Sequence, residues 1–238
     1  MKKTISVSNS EATLDTNRRN FLKLSGVGLA IAGLALVGCN DDDDIITDPG
    51  SSVFDLGKGD VGVLNYAYAL EQLEADFYTK VVNSFYSGIS NDEKTVLTDL
   101  YHHEVIHRDF FKAAITGAAP NAVLPTLEFQ YPGVNFSNRA SVLATAKALE
   151  DTGVAAYNGA GKYITNSDYL VLAGKIVSVE ARHASAIRDL INPKSADFSG
   201  DDIVTAMNGL DAAKEPKDIV AAAGPFIKTP FTWKERGI

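Results

Sequence analysis

Two of the four histidines in this 238-residue chain have a glutamate three positions before them, in Glu104-Val105-Ile106-His107 and Glu180-Ala181-Arg182-His183. On a helix, residues i and i+3 share a face. Each pair could therefore close on one cation, the imidazole through a ring nitrogen and the carboxylate through one or both oxygens. The chain has ten glutamates, so two such coincidences among four histidines would arise by accident about 1% of the time. Two further acids repeat a pattern. Ala69-Leu70-Glu71 and Ala148-Leu149-Glu150 are each followed, seven residues later, by a tyrosine, Tyr78 and Tyr157. Glu104 lies 33 residues beyond Glu71, and Glu180 lies 30 beyond Glu150, so the chain reads as two copies of one helix pair. Together Glu71, Glu104, His107, Glu150, Glu180 and His183 offer four oxygen and two nitrogen ligands. That set suits two carboxylate-bridged ions of iron or manganese, with iron favoured.

Four long helical patterns carry these residues. Apolar residues recur at helical spacing from Asp60 to about Phe85, with Leu64, Ala67, Tyr78, Val81 and Phe85 on one stripe. A second helix, Asn91 to Thr116, opens with the capping-box spacing of Ser90 and Glu93 and closes at Gly117. A third follows Ser137 as its cap and runs to about Ile164. A fourth spans Ser167 to Ile191 and stops at Asn192-Pro193. Between the second and third lies Gly117 to Phe136, with three prolines and no helical period. So long a connection fits a chain carried from one end of a bundle to the other. Strand signals are nearly absent. The expected fold is all-α, a four-helix bundle with a long crossover between helices 2 and 3. A C-terminal tail carries short helical stretches near Asp201–Ala213 and Pro216–Ala223, and Phe226, Phe231 and Trp233 could close one end of the core.

Each of the four stripes is broken by an acid. Burying a carboxylate costs several kcal/mol unless it is paired or binds a metal. Only Arg108, Arg139, Arg182 and Arg188 lie within the bundle as possible partners. Glu74 lies near Glu71 on the first helix and has Gly153 as its counterpart. It reads as a residue behind the ligands or as an ion-pair partner of Arg108 or Arg182, with an extra ligand as the alternative. His102 and His103 read as exposed or helix-packing side chains. His103-Glu104-Val105-Ile106-His107 also fits H-E-x-x-H, the zinc-protease helix. That reading leaves Glu71, Glu150 and the second E-x-x-H unexplained.

With these residues in place, the chain resembles the ferritin-like superfamily over about Gly62 to Ile191. Leu70-Glu71-Gln72-Leu73-Glu74-Ala75-Asp76-Phe77-Tyr78 is similar to the bacterial ferritin-like group that includes desiccation-related proteins. The resemblance implies a ferritin-like bundle with the six residues above as metal ligands. It also implies that Tyr78 and Tyr157 orient ligand carboxylates by hydrogen bonds.

The N-terminus reads as an export address. It holds five of the 22 basic residues before an uncharged run, Leu24 to Gly38. That run is shorter than a membrane span of about 20 residues. Arg18-Arg19-Asn20-Phe21-Leu22-Lys23 resembles a twin-arginine signal, with Asn17 where Ser or Thr is usual. Leu36-Val37-Gly38-Cys39 resembles a lipobox, which implies cleavage before Cys39 and lipidation of its thiol. The domains then read as a signal peptide (1–38), an acidic flexible tether (39–58) containing Asp41 to Asp44, the bundle (59–192) and a C-terminal extension (193–238) packed on it. Removing residues 1–38 takes away five basic and two acidic residues and moves the net charge from −8 to −11.

The lone cysteine excludes an internal disulfide framework, and the acidic balance argues against nucleic acid as a partner. The leading functional expectation is a dinuclear centre that oxidises ferrous iron or removes peroxide. Dioxygen or peroxide would be its substrate, in the cell envelope, with the membrane engaged through Cys39. The alternatives are a desiccation or stress lipoprotein whose metal only stabilises the bundle, and the zinc protease. Oligomeric state is left open.

Overall fold

The structure is a computed structural model, and it describes residues 53–233. The twin-arginine and lipobox segments, Cys39 and Asp41 to Asp44 lie outside the described residues. Among those described, four long helices form the body: α1 (Gly59–Asn83), α2 (Asn91–Ala118), α3 (Arg139–Ala160) and α4 (Ser167–Ile191). A short helix, α5 (Pro216–Ala223), and two two-residue strands, β1 (Phe54–Asp55) and β2 (Phe231–Thr232), complete it. The all-α reading holds, and none of these helices is long and apolar enough to cross a membrane.

Local chemistry sets the helix ends. Ser90 and Glu93 form the expected capping box, with Glu93 N–H donating to Ser90 Oγ (3.1 Å) and Ser90 N–H to Glu93 Oε2 (2.9 Å). α2 passes through Gly117 and ends before Pro120, because proline rather than glycine is the residue that cannot continue it. The cap of α3 is Asn138, one residue past Ser137, its side chain accepting from Ser141 N–H (2.9 Å). α3 ends at Ala160, where the backbone tightens into a 3₁₀ turn, Gly161–Tyr163, instead of running to Ile164. α4 begins and ends where expected.

α1 departs furthest from a one-stripe helix, since every residue from Gly62 to Ala75 is buried. The crossover and the tail cover its outer face. Asn65 and Gln72 fasten the crossover there. Asn65 Nδ2 donates to Ala122 O (2.7 Å) and its Oδ1 accepts from Leu124 N–H (2.9 Å). Gln72 donates to Pro125 O (3.2 Å) and accepts from Leu127 N–H (2.9 Å). A buried backbone group left unpaired costs about 1–3 kcal/mol, so these two amides stand in for the hydrogen bonds an irregular segment lacks. On the same side Trp233 packs on Tyr66, ring centroids 5.2 Å apart.

The tail is helical only at Pro216–Ala223 and in short 3₁₀ turns. The second expected stretch, near Asp201–Ala213, is a set of turns closed by an isolated bridge between Val204 and Asp211. Buried Arg188 fixes this segment by pairing with Asp151 of α3 (2.7 Å) and Asp202 of the tail (2.9 Å). Lys214 N–H donates to Ala155 O in the middle of α3 (3.0 Å). That close approach requires Gly159, where a Cβ would stand 1.7 Å from Lys214 O. The expected tether boundary at residue 58 moves earlier. Phe54–Asp55 pairs in parallel with Phe231–Thr232, and Leu56 is fully buried.

Candidate metal centre

Glu71, Glu104, Glu150 and Glu180 project from the middle of α1, α2, α3 and α4 and are 0% exposed. His107 and His183, one helical turn beyond Glu104 and Glu180, complete the six. The structure brings all of them together. His107 Nδ1 lies 2.8 Å from Glu180 Oε1, 3.4 Å from Glu71 Oε2 and 3.5 Å from Glu104 Oε2. His183 Nδ1 lies 2.8 Å from Glu104 Oε1, 3.3 Å from Glu180 Oε2 and 3.5 Å from Glu150 Oε2. Two overlapping ligand groups result. One is Glu71, Glu104, His107 and Glu180; the other is Glu104, Glu150, Glu180 and His183. Glu104 and Glu180 belong to both, each turning one oxygen toward either group, as bridging carboxylates do.

The donor set fits a pair of cations. Both oxygens of Glu104 and one each of Glu71, Glu150 and Glu180 are buried, and among the described residues these five oxygens share only the two imidazole Nδ1 atoms of His107 and His183. Buried polar atoms are ordinarily satisfied, so such a cluster aimed at common points calls for ions. Arginine does not meet that need. Arg188 pairs with Asp151 and Asp202, Arg139 with Glu93, Arg108 with Asp109, and Arg182 donates to Ser178.

Without cations the cluster holds protons instead. Burial lowers the His183 pKa, but the Glu150 charge and hydrogen bonds with Glu104, Glu150 and Glu180 outweigh it and hold it at about 12. His107 is raised in the same way, by its hydrogen bonds to Glu104, Glu180 and Glu71 against burial. Burial and the Glu180 charge push Glu104 up to about 8. Burial also acts on Glu180, but its hydrogen bonds with His107 and His183 prevail and hold it at about 2.

The two tyrosines hydrogen-bond the clustered carboxylates crosswise. Tyr78 of α1 donates to Glu150 Oε1 of α3 (2.5 Å), and Tyr157 of α3 donates to Glu71 Oε1 of α1. Both contacts can form together only if α1 and α3 run in opposite directions, which is why the crossover must return the chain to the far end of the bundle. Burial keeps both phenols protonated, so they remain donors. Each leaves its glutamate's other oxygen free to face a cation.

Glu74 is buried beside the centre. Burial and then the charges of Glu104, Glu150, Glu180 and Glu71 push its pKa well above the usual carboxylate range. The expected ion pairs with Arg108 or Arg182 do not form. Glu74 instead packs on Gly153, where an added Cβ would lie 3.0 Å from Glu74 Oε1. It also lines a cavity of about 120 Å³ between α1, α3 and α5. His103, read from the sequence as a surface or packing residue, places Nδ1 2.9 Å from His183 Nε2. Its i,i+4 spacing from His107 is the signal that sets it on this side of α2. His103 falls outside both ligand groups, so the H-E-x-x-H pair does not converge on one ion as the zinc reading requires. His102 is exposed and lies against Tyr101. Between α2 and α4, His103, Ile106, His107, Val179, Arg182 and His183 line an open groove of about 240 Å³ that reaches both histidines of the centre.

The family model of the ferritin-like domain matches residues 59–193, more than half of the chain, so the protein belongs to the ferritin-like domain family. A search of curated proteins returned no match.

Proposed function

We propose that the protein holds two iron ions, or two manganese ions, at the Glu/His cluster and uses them to oxidise ferrous iron or remove peroxide. The observation that carries this reading is the pair of overlapping three-carboxylate, one-histidine groups that share Glu104 and Glu180, with five buried inward oxygens sharing two imidazole nitrogens. Glu71, Glu104, His107 and Glu180 would hold one ion, and Glu104, Glu150, Glu180 and His183 the other. Four ligand carboxylates against two divalent cations leave the centre neutral, which removes the cost of burying them. Bound there, iron supplies one-electron redox steps and open positions for dioxygen or peroxide.

The remaining residues prepare the site. Tyr78 and Tyr157 hold Glu150 and Glu71 in place by donating to their outward oxygens. In the metal-free chain Glu74, its pKa raised by burial and then by the neighbouring carboxylates, holds a proton beside the centre. The α2/α4 groove gives a small reactant a path past the two histidine edges.

We further propose that the chain works in the cell envelope as an exported lipoprotein anchored at Cys39. The sequence pattern of Arg18-Arg19 and Leu36-Val37-Gly38-Cys39 supports this, and Cys39→Ser should release the chain from membrane fractions. Twin-arginine export suits a protein that folds and takes up metal before it crosses the membrane.

The test is metal content and turnover together. Protein folded in ferrous iron or manganese should carry two ions per chain and consume added peroxide or oxidise added ferrous iron. Two ions with neither activity would leave a scaffold of the desiccation-protection kind. One zinc with peptidase activity would overturn the reading.

A further inference from the structure

The two histidines of the centre have different surroundings on their outer sides. His183 of α4 turns Nδ1 toward Glu104, Glu150 and Glu180 and sets Nε2 2.9 Å from His103 Nδ1 of α2. The two ring planes lie within 10° of each other, centroids 5.1 Å apart, as in an in-plane N–H···N bond. His107 turns Nδ1 toward Glu71, Glu104 and Glu180, and among the described residues no group hydrogen-bonds its Nε2. The helix-pair repeat locates the cause. His103 immediately precedes Glu104, and the matching position before Glu180 is Val179, which has no hydrogen-bonding side-chain atom and lines the same groove.

We propose that His103 is a positioning residue. It accepts the Nε2–H of His183, fixes that imidazole with the Nδ1 lone pair facing the three carboxylates, and so makes the His183 position the tighter of two unequal metal positions. A hydrogen bond on the outer nitrogen of a metal-binding histidine sets its tautomer and ring orientation and raises its basicity. The His107 ring has no such support, so it must order itself when an ion binds, and its position is the exchangeable one. The inference rests on the two-ion reading above.

Stepwise titration of the metal-free, full-length chain with Co²⁺, followed by calorimetry and ligand-field absorption, tests it. The natural chain should bind in two resolved steps. His103→Val, which copies Val179, should weaken the tighter step by about 10- to 100-fold and leave the weaker step unchanged, so that the steps merge. His103→Gln, whose amide oxygen can accept the same N–H, should restore most of the separation. Val179→His should tighten the weaker step by giving His107 Nε2 a partner. His103 is exposed, so the melting temperature of the metal-free variants should stay near that of the natural chain. Equal weakening of both steps in His103→Val, no weakening of either, or no recovery in His103→Gln would overturn the proposal. A chain that binds no Co²⁺ at all would overturn the two-ion reading with it.

Discussion

The α1/α2 pair and the α3/α4 pair each supply two glutamates and one histidine, and each supplies the tyrosine that holds the other pair's terminal glutamate. Around that shared core the pairs diverge. α1 carries Glu74 where α3 carries Gly153, and α2 carries His103 where α4 carries Val179. α1 is sheathed by the crossover and the tail, whereas α4 keeps a face open to solvent at Leu170 and Val171. The repeated residues build the centre, and the unrepeated ones make its halves unequal. A carboxyl on both α1 and α3 would clash, since Gly153 is what leaves room for Glu74. A histidine on both α2 and α4 would give the two ion positions equal support.

The comparison breaks most sharply at the bridging residues. Glu104→Ala or Glu180→Ala removes a ligand shared by both groups, so each should lower bound metal from two ions per chain to less than one. Glu71→Ala or Glu150→Ala removes a ligand of one group only and should leave about one ion. Metal content by mass spectrometry separates the two outcomes.

A middle-sized effect lies in pH. Glu104 has a folded pKa of about 8, above the ordinary carboxylate value of 4.5. Its contribution to the stability of the metal-free chain is therefore complete below 4.5 and is lost as pH rises through 8. Glu180 works the other way at about 2, its contribution lost as pH falls from 4.5 through 2. His183 keeps its proton until pH nears 12. Ion binding must displace the protons of His107, His183 and Glu104, so loading should release about three protons per chain at neutral pH. Metal affinity should rise with pH while the melting temperature of the metal-free chain falls between pH 4.5 and 8. Titration in weak buffer and thermal melts check both slopes.

The smallest effect concerns the unrepeated carboxyl. Glu74→Gln replaces an uncharged carboxyl with an amide of similar shape and should leave two ions bound. Gly153→Ala gains about 1 kcal/mol of helix propensity and crowds Glu74 by a few tenths of an ångström. Its net change in stability should lie within about 1 kcal/mol, measured by denaturant unfolding.

The sequence made the centre more legible than its surroundings. Two E-x-x-H spacings and two Glu-to-Tyr spacings of seven residues pick out the six residues that the structure clusters, because metal coordination demands particular residue types at helical intervals. The Ser90–Glu93 capping box and the Asn192-Pro193 stop were equally direct, since each is a local signal. His103 was harder to read. Its role depends on a residue 80 positions away on α4, and spacing along one helix does not report it. The full burial of α1 was hidden for a similar reason. Asn65 and Gln72 look like ordinary polar residues until the crossover lies against them. The turns at 201–213 carry helix-compatible residues, but Arg188 and Asp202 draw that segment into another path.

The central claim is that six side chains define two ion positions sharing two carboxylates. Anomalous diffraction from crystals of the chain loaded with manganese or iron tests it most directly. Two peaks should appear, one enclosed by Glu71, Glu104, His107 and Glu180 and the other by Glu104, Glu150, Glu180 and His183. A single peak, or a peak held by His103 and His107, would contradict the account.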